Sequence, residues 1–389
     1  MSNRWRILAV LFFARMTLAF QFQAVAVLAP LIGESYDASL ADIGLLIGLY
    51  FAPGVVVALP GGALAARLGE RRVVVAAMIL MLLGGTLMWA GTGWSALVAG
   101  RVLAGSGGVV INVVLTKMLV DWFVGREIST AMAVFINSWP VGIALALLVL
   151  PHAAAGGIGS AWVAVLAVIV VGLVIFVIGY RAPGTNAGPA PIVQAGKLPL
   201  GPLLSAVWIW AFYNAALAMV FSFGPIVLVS RGWALAAASS ATSLYMVLLA
   251  ISVPLGGILA DRTGRRDAVI AASLVGFAAL LGAVVWSPGG SETAIFAAMG
   301  LISGLAAGPI MSLPATVLAP HVRAFGMGVF YTLFYVVFVA APFLAGWLAE
   351  LTANSAAPFL LGMAMLVSCL ASLSLFRRSA KPAAASAAA

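Results

Sequence analysis

Three cationic side chains stand within long apolar runs of this 389-residue chain: Arg15 in FFARMTLAFQFQAVAVLAP (residues 12–30), Arg101 at the head of RVLAGSGG, and Lys117 in LTKMLVDWF. A guanidinium presents a planar fork of N–H donors that suits a carboxylate or a small inorganic anion, and it stays charged at physiological pH. At the centre of a bilayer it costs about 2.5–3.5 kcal/mol on insertion scales, so it requires partners. The ten acids offer none at that depth. Glu34, Asp37, Asp42, Glu292 and Glu350 fall near one set of run ends, and Glu70, Asp121, Glu127, Asp261 and Asp267 near the other. Arg15 must therefore draw on backbone carbonyls, on Gln, Asn or Tyr oxygens, or on a bound anion. Lys117 lies four residues before Asp121, which gives it an i,i+4 partner and a short path to the interface. Arg101 divides between carbonyl binding and solute binding.

The elements that hold these groups follow from composition. The chain is 64% hydrophobic and 7% charged, with a mean hydropathy of +1.20, far from the roughly 25% charge of soluble domains. It reads as an integral membrane protein. A spanning helix takes about 20 residues, and twelve such runs are expected at 5–32, 41–65, 73–92, 95–119, 128–150, 160–180, 203–230, 236–260, 268–287, 292–318, 324–349 and 355–376. The opening MSNRWR imitates a secretory leader, but Arg15 would interrupt its apolar core, so the first run is expected to be retained. With the N-terminus in the cytoplasm, 15 of the 19 Lys and Arg residues fall on the inner side and only Arg231 on the outer. That asymmetry is the positive-inside pattern, and it predicts a bacterial inner-membrane protein with both termini cytoplasmic. The formal charge of +9 is then explained by loops facing anionic headgroups, with no nucleic-acid partner. Cys369 is the single cysteine, so no intrachain disulfide is possible. Two histidines, no metal-ligand spacing and no Walker loop argue against an enzyme, a metal or a cofactor.

The chain repeats itself. GGALAARLGERR (residues 61–72) follows the second run and GGILADRTGRR (residues 256–266) the eighth, with Gly62 and Gly257 separated by 195 residues, half the chain. Residues 181–202 form a polar, Pro/Gly-rich connection, as expected of a linker. The organisation is an N-terminal bundle over 1–180, a cytoplasmic linker over 181–202, a C-terminal bundle over 203–376 and a tail over 377–389. The pattern G-x-x-x-D-R-x-G-R-R, carried by Gly257, Asp261, Arg262, Gly264, Arg265 and Arg266, resembles the signature loop of the major facilitator superfamily. Its first-half counterpart is Gly62, Ala66, Arg67, Gly69, Arg71 and Arg72, and RVLAGSGG is similar to the family's R-x-x-x-G-x-G pattern. The resemblance implies an all-α membrane fold of two pseudo-symmetric six-helix bundles and secondary transport by alternating access. It also implies gating by Asp261, Arg262 and Arg265, with Arg67 and Arg71 in the first copy. Ala66 stands where the family usually places a carboxylate. FQFQAVAVLAPLI, LTKMLVDWF, GREISTAM and NSWPVGIA resemble the bacterial cyanate-permease-like branch, which names no cargo.

Runs three, six, nine and twelve are almost wholly apolar, whereas one, two, four, five, seven and eleven carry most of the polar residues. The latter should line a central pathway. Arg15 lies nine residues beyond Arg6, about 13 Å at 1.5 Å per residue, near the middle of a core about 30 Å thick. Gln23 follows it by eight residues, about 80° around the helix, so both are expected at one cavity. Arg101 and Asn112 share a face of the fourth run, and Asn137-Ser138-Trp139-Pro140 sets a kinked polar patch in the fifth. Tyr213, Asn214, Tyr331 and Tyr335 complete the candidate site. The expected function is movement of a small anionic solute by a monomeric carrier in contact with membrane lipids, with Arg15 as the anion-binding residue. An exporter of drug-like or neutral solutes, and a non-transporting receptor on the same fold, are the alternatives. The fifth run lacks the repeated Gly-Pro-Gly pattern of the family's drug and proton antiporters, and no mid-span Asp or Glu is present to carry a proton. The topology is testable directly: an enzyme reporter active only in the periplasm, fused after Ala389, should be silent, and activity there would reverse the orientation.

Overall fold

The computed structural model describes residues 3–56, 68–123, 127–181, 198–287, 289–319 and 322–387. Helices account for nearly all of them, with no strand among the described residues. Within lipid only a helix or a closed barrel satisfies every backbone donor and acceptor internally. The first half contains α1 (Asn3–Val27), α2 (Ala29–Tyr36), α3 (Leu40–Leu49), α4 (Glu70–Ala90), α5 (Trp94–Phe123), α6 (Ile128–Ile136), α7 (Ser138–Ala153) and α8 (Ile158–Gly179). The second contains α9 (Leu200–Ser230), α10 (Leu235–Thr263), α11 (Arg266–Trp286), α12 (Glu292–Ser303), α13 (Ala307–Met311), α14 (Arg323–Leu351) and α15 (Ala357–Ala387). Eleven of the expected runs appear as helices long and apolar enough to cross a membrane. The second begins at α3, and residues 57–67, including Gly62, Ala66 and Arg67, lie outside the described residues, as does most of the linker.

Proline and glycine set the departures from the expected boundaries. The first run stops at Val27 instead of residue 32, because Pro30 opens α2 within its first turn. Proline carries no N–H to continue the ladder. α2 then meets the following helix at 117°, after Asp37 ends it in a left-handed conformation and a Ser39–Asp42 capping box starts α3. The fifth run is interrupted at Asn137, between α6 and α7. The tenth breaks into α12, a 3₁₀ turn at Gly304–Ala306, α13 and a second 3₁₀ turn at Pro314–Thr316. The last helix continues to Ala387 instead of giving way to a tail at residue 377.

Packing sorts the helices by depth. α1 and α9 are the most enclosed of the spans. α4, α8, α11 and α15 turn side chains such as Leu83, Val171, Ile178, Val275 and Val367 outward, as their near absence of polar residues requires. The halves meet most closely on the face away from Asn3. There α3 lies against α14 so tightly that a methyl group on Gly44 would fall 2.1 Å from the Pro342 carbonyl oxygen, and one on Gly48 2.2 Å from that of Val339. Without a hydrophobic driving force between helices in lipid, such close backbone approach supplies the dispersion contact. Glu350 Oε1 accepts from the Ala41 N–H at 2.7 Å, and Ser243 Oγ donates to the Ala144 carbonyl at 3.2 Å. Toward the face that carries Asn3, a groove of about 450 Å³ parts α6 from α10, lined by Ile128, Met132, Pro254 and Gly257. Among the described residues the halves are therefore closed on one face and parted on the other.

Gly44→Val should weaken the closed seam, since overpacking costs about 1–3 kcal/mol and about 1.4 kcal/mol is tenfold in a population ratio. A cysteine placed at Ala41, buried in this seam, should react with a membrane-impermeant maleimide faster in the Gly44→Val background than without it. Cys369 is buried and free, which keeps the background low. Equal labelling rates would show that the glycine seam does not govern closure.

Candidate solute site

Arg15 reaches into the interior from the middle of α1, and the break in the fifth span explains where its hydrogen bonds go. Pro140 has no N–H, so the Ile136 carbonyl four residues earlier loses its helical partner. Arg15 Nη1 supplies one at 3.1 Å, together with the Phe135 carbonyl at 3.2 Å and Ser138 Oγ at 3.0 Å. Nε donates to Asn112 Oδ1 on α5 at 2.9 Å, and the guanidinium carbon sits 5.0 Å from the Phe135 ring centroid. Nη2 has no partner among the described residues. The side chain is thus half committed to α5 and α6, with one nitrogen left over.

That nitrogen belongs to a residue lining a central cavity of about 260 Å³ between the halves. Asn112, Asn137 and Trp139 join Arg15 from the first half, and Tyr213, Asn214, Tyr331 and Tyr335 from the second. Eight of the ten residues expected at the site are therefore brought together. The Asn137 amide has no partner among the described residues, whereas Asn214 Nδ2 is turned onto the Trp210 carbonyl at 2.8 Å. Tyr213 donates to the Ser303 carbonyl at 2.8 Å, beside the 3₁₀ turn of the tenth span. Tyr331 and Tyr335 lie within electrostatic reach of Arg15. Ile136 and Val253 line both this cavity and the groove between α6 and α10, so these two side chains stand between the cavity and the groove toward the Asn3 face. No acid lines it.

Two expected residues are elsewhere. Arg101 is fully buried and spends its guanidinium on carbonyls: Nε on Leu46 at 2.9 Å, Nη1 on Gln21 at 3.2 Å, and Nη2 on Phe22 at 2.8 Å and Ile47 at 3.5 Å. The Tyr50 and Phe22 rings flank it at 4.5 and 5.4 Å. It ties α5 to α1 and α3 and is sealed from the cavity. Gln23 is also buried away from the cavity, where Nε2 donates to the Phe221 carbonyl on α9 at 2.6 Å and joins the halves on the closed side. Lys117 pairs with Asp121 at 2.8 Å, as expected, and also with Glu70. Sequence reasoning left out Phe51, Phe334 and Phe338, which line the cavity. The spacing of Tyr331, Phe334, Tyr335 and Phe338 puts them on one face of α14, and that signal was readable.

Of the expected gating residues, Asp261 and Arg265 lie in an open surface depression on the Asn3 face with Arg266, Asp267 and Arg377. Arg377 pairs with Asp267. Asp261 and Arg262 are exposed and make no ion pair among the described residues, as befits the face on which the halves are parted. Arg71 donates to the Val177 carbonyl at 2.8 Å and so anchors α4 to α8.

Comparison with known proteins is concordant. The family model described as Major Facilitator Superfamily matches residues 11–238 and 216–389. A hexuronate transporter of Bacillus subtilis (strain 168) is 22% identical over 262 residues, covering 63% of this chain and 61% of the relative, less than two thirds of its length. The fold is similar to a bacterial homolog of the human lysosomal transporter Spinster in an inward-facing, occupied conformation, with a TM-score of 0.80, 15% identity and coverage of 98% and 97% of the two chains. It is also similar to a variant of the nucleoside transporter NupG, with a TM-score of 0.77, 12% identity and coverage of 96% and 100%.

The two arginines should separate experimentally. Hydrogen bonds to charged groups contribute about 1.5–3 kcal/mol each, and Arg101→Gln removes four guanidinium bonds to carbonyls in a fully buried site. It should lower melting temperature and monodisperse yield sharply without any solute present. Arg15→Gln should be milder in both measurements. Equal damage would mean that Arg15 is as structural as Arg101.

Proposed function

Because this chain belongs to the Major Facilitator Superfamily, we propose that it is a secondary transporter that moves a small organic anion by alternating access, with Arg15 as the residue that binds the negative group. The observation that carries this reading is the free Nη2 of Arg15 at a cavity that holds no acid. An unneutralised cation in a low-dielectric site is costly, and an anionic solute supplies the missing charge. The hexuronate transporter match supports an acid as cargo.

The chemistry is recognition without bond making. The solute enters from the parted face, past Ile136 and Val253, and its anionic group meets Arg15 Nη2. Asn137 offers an amide to its polar substituents, and the aromatic walls shed water from its apolar faces. The Arg15 bonds to Asn112 and to the Phe135 and Ile136 carbonyls hold the guanidinium in place before the solute arrives, which lowers the ordering cost of binding. With the termini in the cytoplasm, the conformation is inward-open: the Gly44–Gly48 seam and the Gln23–Phe221 bond close the outer side, and the groove between α6 and α10 admits the solute from within. Closing that groove while parting the seam would present the same cavity to the other side. Asp261, Arg262 and Arg265, with Arg67 and Arg71, are proposed to act at the inner closure.

Reconstituted vesicles test this reading. Exchange of a labelled organic acid across the membrane should fall by about tenfold or more for Arg15→Lys, which keeps the charge but cannot bond Asn112, the α6 carbonyls and the solute at once, and further for Arg15→Gln. Transport of neutral solutes that is indifferent to both substitutions would replace the anion carrier with a carrier of uncharged cargo. Binding with no flux in either direction would favour a receptor.

A further inference from the structure

The cavity specifies more than a negative charge. Three features limit what can occupy it: the number of cations, the donors still free, and the composition of the wall.

Among the described residues, Arg15 is the only charged one lining the cavity. Arg101 is enclosed by carbonyls and Lys117 is paired with two acids, so neither is available to a second negative group. A dianion would bring one charge into the site with nothing to neutralise it, which is the costly case for a buried ion. The free donors tell the same story. Nε and Nη1 are engaged, and the two N–H groups of Nη2 suffice for one carboxylate. The wall is flat-faced: nine of the 21 lining residues are aromatic, against 10% of the chain. Phe51 stacks on Tyr335 across the halves with centroids 5.8 Å apart and planes at 16°, Trp139 adjoins Phe51 at 5.8 Å, and Phe334 adjoins Trp210 at 6.4 Å. Aromatic side chains thus line the cavity from both halves, a wall that suits a ring-shaped body, which can stack on it or present its C–H edges. At about 260 Å³ the space falls below the roughly 300–1,000 Å³ typical of pockets for drug-sized molecules.

Resting on the reading of this cavity as an anion site, we propose that the solute is a monocarboxylate on a single-ring body, with its carboxylate on Arg15 Nη2 and its ring between the aromatic walls of the two halves. Dicarboxylates are rejected because the site holds one cation. Asn137 meets a substituent on the ring, which allows an aromatic or a hydroxylated ring to be held.

The test is a binding panel on the purified full-length protein, read by calorimetry and thermal shift. Benzoate and glucuronate are the ring monocarboxylates, isophthalate and succinate the dicarboxylates, and methyl benzoate and glucose the neutral counterparts. At least one ring monocarboxylate should bind about tenfold or more tightly than either dicarboxylate and than its own neutral counterpart, as expected for an unpaired charge or a lost charge-assisted bond. Arg15→Gln should abolish the preference for the acid over the neutral form. A dicarboxylate that binds as well as the ring acids, with neutral compounds inactive, overturns the monocarboxylate assignment and leaves the anion site intact. Neutral compounds that bind as well as the acids overturn both. Failure of both ring monocarboxylates to bind at millimolar concentration overturns the assignment as well. Because the ligand comparison is made on the unaltered protein, it stands even if Arg15→Gln folds poorly.

Discussion

Every donor of a guanidinium held within a bilayer has to be answered, and that requirement organises both halves of this fold. Arg101 meets it completely, with carbonyls from two neighbouring helices and two ring faces. The result is a rigid joint between α5, α1 and α3. Arg15 meets it in part, and only because Pro140 deprives a carbonyl of its usual donor. A kink, a charge and a cavity are thus one arrangement: the helix break creates the acceptor, the acceptor positions the guanidinium, and the guanidinium of this cavity-lining residue keeps one nitrogen without a partner among the described residues.

The two halves touch unevenly, and the unevenness has a chemical basis. On the closed side the contacts are short-range and largely uncharged: glycine faces against carbonyls, an amide on a carbonyl, a hydroxyl on a carbonyl. On the parted side lie the arginine-bearing loop and the paired Asp267 and Arg377. Backbone approach across the glycine seam needs almost perfect register, whereas long charged side chains tolerate changes of distance. The closed side therefore behaves as a fitted joint and the other as an adjustable one.

Much of this was legible in the sequence. Hydropathy located eleven of the twelve spans, and eight of ten expected site residues line the cavity. What stayed hidden involved backbone. Arg101 and Gln23 looked like cavity residues because the letters show which side chains are polar but not which carbonyls stand opposite them. Helical phase alone placed Gln23 near Arg15, yet eight residues of rise carry it to the closed side and onto the Phe221 carbonyl. The breaks at Asn137 and at Gly304–Ala306 were harder to time, since proline inside a membrane span is tolerated wherever a neighbour answers the freed carbonyl. The phenylalanines of α14 stand out only through their spacing with Tyr331 and Tyr335, because aromatic residues are also common in lipid-facing runs.

Under the proposed reading, a single positive charge among the described residues lining the cavity, with no acid beside it, would make the cycle sensitive to voltage in a particular way. On that reading a loaded monoanion cancels the charge of Arg15, so reorientation of the full carrier moves no net charge through the field. Reorientation of the empty carrier does, because the uncovered cation changes the side with which it communicates. A full elementary charge is worth about 2.3 kcal/mol per 100 mV, and an interior-negative potential therefore holds the vacant site facing inward. The resting polarity of the membrane would then act on the return step alone, so that energisation sets where the carrier waits and leaves the solute's own passage electrically silent.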